Sequence, residues 1–290
     1  MNTLFKSTIY LAILIGLFGC ATNENSILQQ QQQDDQIISD FLKRNNISAT
    51  KSSTGLYYVL DKVGTGDQAS TVSQIASIDV DVYLLGGAKF ITEKDIVYRF
   101  SNGLLMQGVV EATTLLKEGG NGRFYIPSAL GFGQGSGTVN GINIPANATI
   151  YAEVKLNDIR TDQEQQVIEE GLIKKYLADN KLTSTKDSLG VYYVRTTQGS
   201  GALPRTGNRL AVTYKGTLLN KQVFDSGDFT FTLGAGASIR GFEIATRFMQ
   251  KGEKGIALIP SHLAYADKGS GDKIRPFATL VFELEIIGFE

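Results

Sequence analysis

The stretch that decides the fold runs from Val212 to Phe282. It reads Val212-Thr-Tyr214-Lys-Gly216, Val223-Phe224-Asp225-Ser226, Phe229-Thr-Phe231-Thr-Leu-Gly234, Ile239-Arg-Gly241-Phe242-Glu243, Ile259-Pro260, Ala264-Tyr265 and Pro276-Phe-Ala-Thr-Leu-Val-Phe282. Its aromatic residues recur at separations that no single helix or strand would bring together. A sheet wrapped on a helix would gather them into an aromatic-lined pocket. Arg209-Leu-Ala-Val-Thr-Tyr214 and Val281-Phe-Glu-Leu-Glu-Ile-Ile287 alternate as strands do. Phe242, Ile244, Ala245, Phe248 and Met249 follow a helical period. Several strands and one helix make an α+β domain.

Working outward, the same pieces occur a second time upstream. Thr50-Lys-Ser-Ser-Thr-Gly55-Leu-Tyr-Tyr-Val59 matches Thr185-Lys-Asp-Ser-Leu-Gly190-Val-Tyr-Tyr-Val194, about 135 residues apart, too long a period for a solenoid. Phe90 parallels Phe224, Gly108 parallels Gly241, and Ile126-Pro127-Ser128 parallels Ile259-Pro260-Ser261. Phe41-Leu42 in a preceding helix answers Tyr176-Leu177. The chain is two copies of one helix-plus-domain unit, as its 290 residues allow.

Composition narrows the chemistry. The net charge is -1 and 42% of residues are apolar, with no basic cluster of the kind that nucleic acid requires. One cysteine excludes a disulfide framework, and one histidine argues against a histidine metal site or a Ser-His pair. No cofactor is expected. A site must be built from apolar, aromatic and carboxylate groups.

The second copy resembles an FKBP-type peptidyl-prolyl isomerase domain over Val191 to Glu290. The resemblance implies an antiparallel sheet wrapped on a short helix, with a proline pocket between them. Tyr214, Asp225, Phe242 and Tyr265 match the catalytic positions; Phe224, Phe229, Ile239, Ile274 and Phe282 match substrate-binding ones. Ile239 corresponds to the residue whose amide takes the substrate carbonyl. Phe231 and Phe248 are assigned to the core, and His262 to an exposed loop. The segment between Asp225 and Phe229 is shorter than the family pattern, so one basic wall of the pocket is missing. Ser270 stands where a His is common, and Ala266 where a Gly follows the pocket Tyr. In the first copy Val80, Ile91, Val109, Phe132 and Ala152 replace Tyr214, Asp225, Phe242, Tyr265 and Phe282. Phe90, Met106 and Ile144 are left to line an apolar cleft, and no catalysis is expected there.

The expected organisation is a signal peptide over 1–19, a lipidated flexible tether over 20–33 and a degenerate domain over 34–160. A linker helix over 161–182 and an isomerase domain over 183–290 follow. Lys6 before the apolar run from Ile9 to Gly19 reads as a secretory signal, too short to span a membrane. Leu17-Phe-Gly-Cys20 resembles a bacterial lipobox, which implies a lipid on Cys20 and an extracytoplasmic membrane anchor. Ala21 points to the outer membrane. Asp34 or Asp35 is expected to cap a helix bearing Ile37, Ile38, Phe41 and Leu42. Thr161-Asp-Gln-Glu164 reads as a capping box before an apolar stripe of Val167, Ile168, Leu172, Tyr176 and Leu177. The expected partners are proline-containing unfolded or partly folded polypeptides and a membrane, with no nucleic acid. The competing reading is a non-enzymatic chaperone or protein-binding lipoprotein on the same scaffold.

Overall fold

The computed structural model describes residues 24–69 and 71–290. The expected signal peptide, Cys20 and the first residues of the tether lie outside the described residues. No helix among the described residues is long and apolar enough to cross a membrane. The chain divides into two compact units, the first ending at Thr161 and the second running Asp162–Glu290.

In the first unit, helix α1 (Glu24–Arg44) is followed by β1 (Thr50–Lys51), β2 (Tyr57–Lys62), β3 (Ile75–Leu84) and β4 (Lys89–Arg99). Then come α2 (Gln107–Thr114), β5 (Asn121–Ile126), β6 (Gly137–Val139), β7 (Ile142–Ile144) and β8 (Ile150–Arg160). In the second unit α3 (Asp162–Asp179) precedes β9 (Thr185–Lys186), β10 (Tyr192–Thr197), β11 (Arg209–Leu218) and β12 (Val223–Thr232). It closes with α4 (Arg240–Arg247), β13 (Lys254–Ile259) and β14 (Leu280–Phe289). The six-stranded sheets have orders β1-β2-β5-β8-β3-β4 and β9-β10-β13-β14-β11-β12, which are the same order, and their strand pairs are antiparallel. Two tandem copies of one α+β fold are therefore present, each with a short helix on a sheet and another helix before it.

Side-chain alternation along the strands assigns the two helices of each unit to opposite sheet faces. In β14, Leu280, Phe282, Leu284 and Ile286 join the core with α4, whereas Val281 joins Ile173 and Leu177 of α3. Tyr193 and Ile259 face α4, while Tyr192, Val194 and Leu258 face α3. The first unit repeats this, with Phe124 and Ile126 on the α2 side and Tyr125 against Ile38 and Leu42 of α1. Gly108 and Gly241 let the short helices lie close on the sheets, since a Cβ on either would collide with Ile126 or Ile259.

Four details differ from the sequence reading. Helix α1 begins at Glu24, so residues 24–33 are helical rather than a loose tether; glutamine is a good helix former and carries the run into the helix. Asp34 is consequently not a cap but a buried mid-helix residue. The inward stripe of α3 is Gln165, Glu169, Ile173 and Leu177, whereas Val167, Ile168 and Leu172 face outward. Phe248 is 42% exposed and not core. Six residues beyond Phe242 is about 240° around a helix, which turns Phe248 away while Ala245 and Met249 stay inside.

Candidate functional site

Phe242 sits in the first turn of α4 and is the hub of the second unit's aromatic cluster. Its ring lies 5.9 Å from Tyr214, 6.3 Å from Phe229, 5.8 Å from Phe231 and 5.2 Å from Phe282, all edge-on or steeply inclined. Such contacts add roughly 0.5–1.5 kcal/mol each beyond burial. Phe224 packs edge-on to Phe282 at 5.5 Å, and Phe229 stacks on Phe231 at 5.1 Å. Phe224, Phe242, Ile274 and Phe282 are buried and form a floor. Tyr214, Phe229 and Ile239 are half-buried, and Asp225 and Tyr265 are exposed, so they form an open mouth. The structure thus brings the predicted residues of strands β11, β12 and β14, helix α4 and the loop after β13 around one cleft.

The polar groups at the mouth are ordered. The Tyr214 hydroxyl donates to Asp225 Oδ2 at 2.6 Å, and the Ser226 amide donates to Asp225 Oδ1 at 2.9 Å. The hydrogen bond to Asp225 pushes the Tyr214 phenol up to about 12; partial burial and the Tyr265 hydroxyl act in the same direction. Tyr214 is therefore a fixed neutral donor at any physiological pH. Ile239 directly precedes α4 in extended conformation, and its carbonyl accepts from the Phe242 and Glu243 amides. Among the described residues nothing accepts from the Ile239 amide, which leaves it free for an incoming carbonyl. Glu243 is buried and accepts from the Gly234 and Gly236 amides at 2.9 and 3.1 Å, which holds the loop that delivers Ile239.

The short segment after Asp225 is not a loop at all: β12 pairs with β11 continuously from Asp225 to Thr232, and its one register shift falls at Phe224, before the segment. No basic wall arises there. A cation comes instead from the flap, the segment from Asp267 to Arg275, where Lys273 Nζ donates to the Phe224 carbonyl at 2.9 Å beside Asp225. Ser270 and Ile274 close the flap through reciprocal backbone bonds, and Ile274 is tucked into the core. The sequence reading gave Lys273 and Glu243 no role. An acidic residue in the first turn of α4 was a legible signal for Glu243, whereas Lys273 had none. Ala266 takes the left-handed conformation at φ +49°, where the first unit has Gly133 at +57°. His262 is exposed, as expected.

In the first unit the corresponding space is filled. Register against β3 makes Ile96 and Tyr98 the counterparts of Phe229 and Phe231. Val80, Phe90, Ile91, Ile96, Val109, Ile144 and Ala152 are all buried. Phe132 leans on Phe90 at 5.8 Å. Asn140 Nδ2 donates to the Phe90 carbonyl at 2.8 Å, the counterpart of the Lys273 contact. Among the described residues no group of three His, Cys, Asp or Glu side chains is placed to hold a metal ion.

The pattern can be compared with known proteins. Residues 66–157 and 201–287, more than half of the chain, match the family described as FKBP-type peptidyl-prolyl cis-trans isomerase. FK506-binding protein 1 of Dictyostelium discoideum is 38% identical over 107 residues, which are 35% of this chain and 100% of that protein. The probable FKBP-type peptidyl-prolyl cis-trans isomerase FkpA of Neisseria meningitidis serogroup B is 35% identical over 41% of this chain and 44% of its own. The FKBP-type 22 kDa peptidyl-prolyl cis-trans isomerase of Escherichia coli is 35% identical over 44% of this chain and 64% of its own. The chain thus spans less than two thirds of either bacterial relative. The crystal structure of FkpA from Escherichia coli aligns at 27% identity and a TM-score of 0.38 over 44% of this chain and 62% of that one. With two matched segments lying on the two sheets described above, this chain belongs to the FKBP-type peptidyl-prolyl cis-trans isomerase family.

Proposed function

We propose that the second unit is the catalytic one and that it turns the X-Pro bonds of unfolded or partly folded polypeptides. The observation that carries this is the open cleft around Phe242, ringed by Tyr214, Asp225, Ile239 and Tyr265. Rotating a peptide bond requires about 18–20 kcal/mol because its resonance must be broken. No bond to carbon or nitrogen has to be made, so neither a nucleophile nor a metal is needed. An apolar floor that takes the proline ring strips water from the imide. The Ile239 amide and the Tyr265 hydroxyl hold the flanking carbonyls, and Tyr214 with Asp225 fixes the wall against which the amide twists. Each of these lowers the barrier only as far as it fits the twisted form better than either planar one.

The first unit serves as scaffold, since its cleft is packed with its own aliphatic side chains. The substrate context is extracytoplasmic, with Cys20 carrying a lipid that holds the chain on the outer membrane; these rest on the sequence of residues 1–21.

Exchange of an X-Pro peptide followed by NMR on the full chain tests the site. Asp225→Ala and Tyr265→Ala should each lower kcat/KM about tenfold, which is about 1.4 kcal/mol of barrier. Phe242→Leu should lower it further. Unchanged exchange in all three removes the site assignment, and suppression of aggregation that survives them would favour a chaperone.

A further inference from the structure

Glu169 lies in the middle of α3, is 1% exposed, and takes no part in the chemistry set out above. Its carboxylate grips the single turn that follows β13. The Ser261 amide donates to Oε2 at 2.6 Å, and the Ser261 hydroxyl donates to Oε1 at 2.7 Å. Gln165 Nε2, one helical turn earlier, completes the set by donating to Oε1 at 2.8 Å. Ser261 and Gln165 are themselves buried. Four lone-pair directions of a carboxylate are thus largely used, in a place where an unpaired charge would be strongly disfavoured.

The turn so gripped is the one that carries Tyr265. The Ser261 carbonyl accepts from the Ala264 amide at 2.8 Å and from the Ala266 amide at 2.9 Å, so the residues on both sides of Tyr265 hang from Ser261. From the helix carboxylate to the backbone flanking Tyr265 there are only two hydrogen bonds. The Tyr265 side chain is itself 37% exposed, and among the described residues no aromatic ring packs on it. Its position at the mouth therefore comes from its backbone.

We propose that Glu169 is a positioning residue of the isomerase site, a latch through which α3 sets Tyr265 over the cleft. This deepens, and rests on, the reading of the second unit as the catalytic one. The first unit shows what the latch does independently of chemistry. There Asp34 of α1 accepts from the Ser128 amide at 2.8 Å and the Ser128 hydroxyl at 2.6 Å, with Gln30 donating at 2.8 Å. The turn it holds leads to Phe132, which has no hydroxyl to present. The same device fixes the turn in both copies, and only in the second does the turn deliver a polar group.

The test uses the full chain below the melting temperature of every variant. Glu169→Ala should lower kcat/KM for X-Pro exchange at least fivefold and shift the backbone amide resonances of Ala264, Tyr265 and Ala266. Glu169→Gln, which still accepts from the Ser261 amide and can donate to its hydroxyl, should retain most of the rate. Ile173→Ala loosens the same helix without touching the turn and should leave the rate at the wild-type value. In a Tyr265→Phe background Glu169→Ala should cause little further loss, because both changes remove the same hydroxyl contact. A folded Glu169→Ala protein with wild-type exchange and unmoved amides overturns the proposal, as does a rate loss that Ile173→Ala reproduces. Should Glu169→Ala not fold, Ser261→Ala removes the hydroxyl half of the latch and is held to the same rate and amide criteria. If the wild-type chain catalyses no exchange, the isomerase reading fails while the three amides still decide whether Glu169 positions the turn.

Discussion

Tyr214 and Asp225 lie diagonally across paired strands at the mouth, Tyr214 opposite Gly227 and Asp225 opposite Gly216, and share a 2.6 Å hydrogen bond. Because that bond raises the phenol to about 12, Tyr214 should not contribute a step to the rate between pH 6 and pH 10. A pH profile of kcat/KM in Tyr214→Phe parallel to that of the wild type would check this. Groups that act as one unit should also be non-additive: Tyr214→Phe and Asp225→Ala together should cost little more than Asp225→Ala alone, which a double-mutant cycle on exchange rates measures. At this scale the sequence was informative, because the first copy acts as an internal control. It keeps Phe90 and Ile126-Pro127-Ser128 but has Val80 and Ile91 in place of Tyr214 and Asp225. Lys273 was not legible. It reaches the Phe224 carbonyl across 49 residues, and nothing in the sequence separates it from the neighbouring Lys268. Lys273→Ala should free the flap and raise KM more than it lowers kcat, as steady-state exchange at varied peptide concentration would show.

Among the elements, the strands and α4 follow directly from alternation and helical period, whereas the inward face of α3 and the start of α1 do not. The inward face of α3 carries Gln165 and Glu169 beside Ile173 and Leu177, so half of the buried stripe is polar and a search for apolar spacing settles on the wrong side. Val167, Ile168 and Leu172 formed the more apolar pattern and face outward. Ile173→Ala should therefore lower unfolding stability by about 2–5 kcal/mol, and Leu172→Ala by about 0.5 kcal/mol or less, in chemical denaturation. Equal effects would contradict the face assigned here. The polar residues are tolerated inside because each has a partner: Gln165 bonds Glu169, and Glu169 bonds Ser261. The first ten residues of α1 were hidden for a different reason. Their glutamine run lacks apolar content, and helical propensity without periodicity does not mark where a helix begins.

Over the whole molecule, each unit has its own pair of core clusters, and no residue is shared between those of the first and those of the second. A perturbation confined to one unit should then act on that unit's unfolding alone. Glu253 provides one. Burial on its own would raise its pKa. Hydrogen bonds from Arg195 Nε at 2.7 Å, the Gln250 amide at 3.1 Å and the Tyr193 hydroxyl at 2.8 Å outweigh that and hold the carboxyl below its ordinary 4.5. A carboxyl harder to protonate when folded stabilises fully above 4.5, and its contribution is lost as pH falls below that value towards the folded pKa. Calorimetry from pH 6 down to pH 3 should show the second unit losing more stability than it does in Glu253→Gln, with the first unit indifferent to the substitution. The left-handed turn after each Ser-anchored loop divides the copies in another way. Gly133 takes that conformation without steric penalty in the unit whose cleft is closed; Ala266 takes it beside the open one, where an L side chain is disfavoured by about 1–2 kcal/mol. The copy with the open cleft thus holds unused thermal headroom, and the remedy is already written in its twin: deleting one methyl group at residue 266 would transplant it.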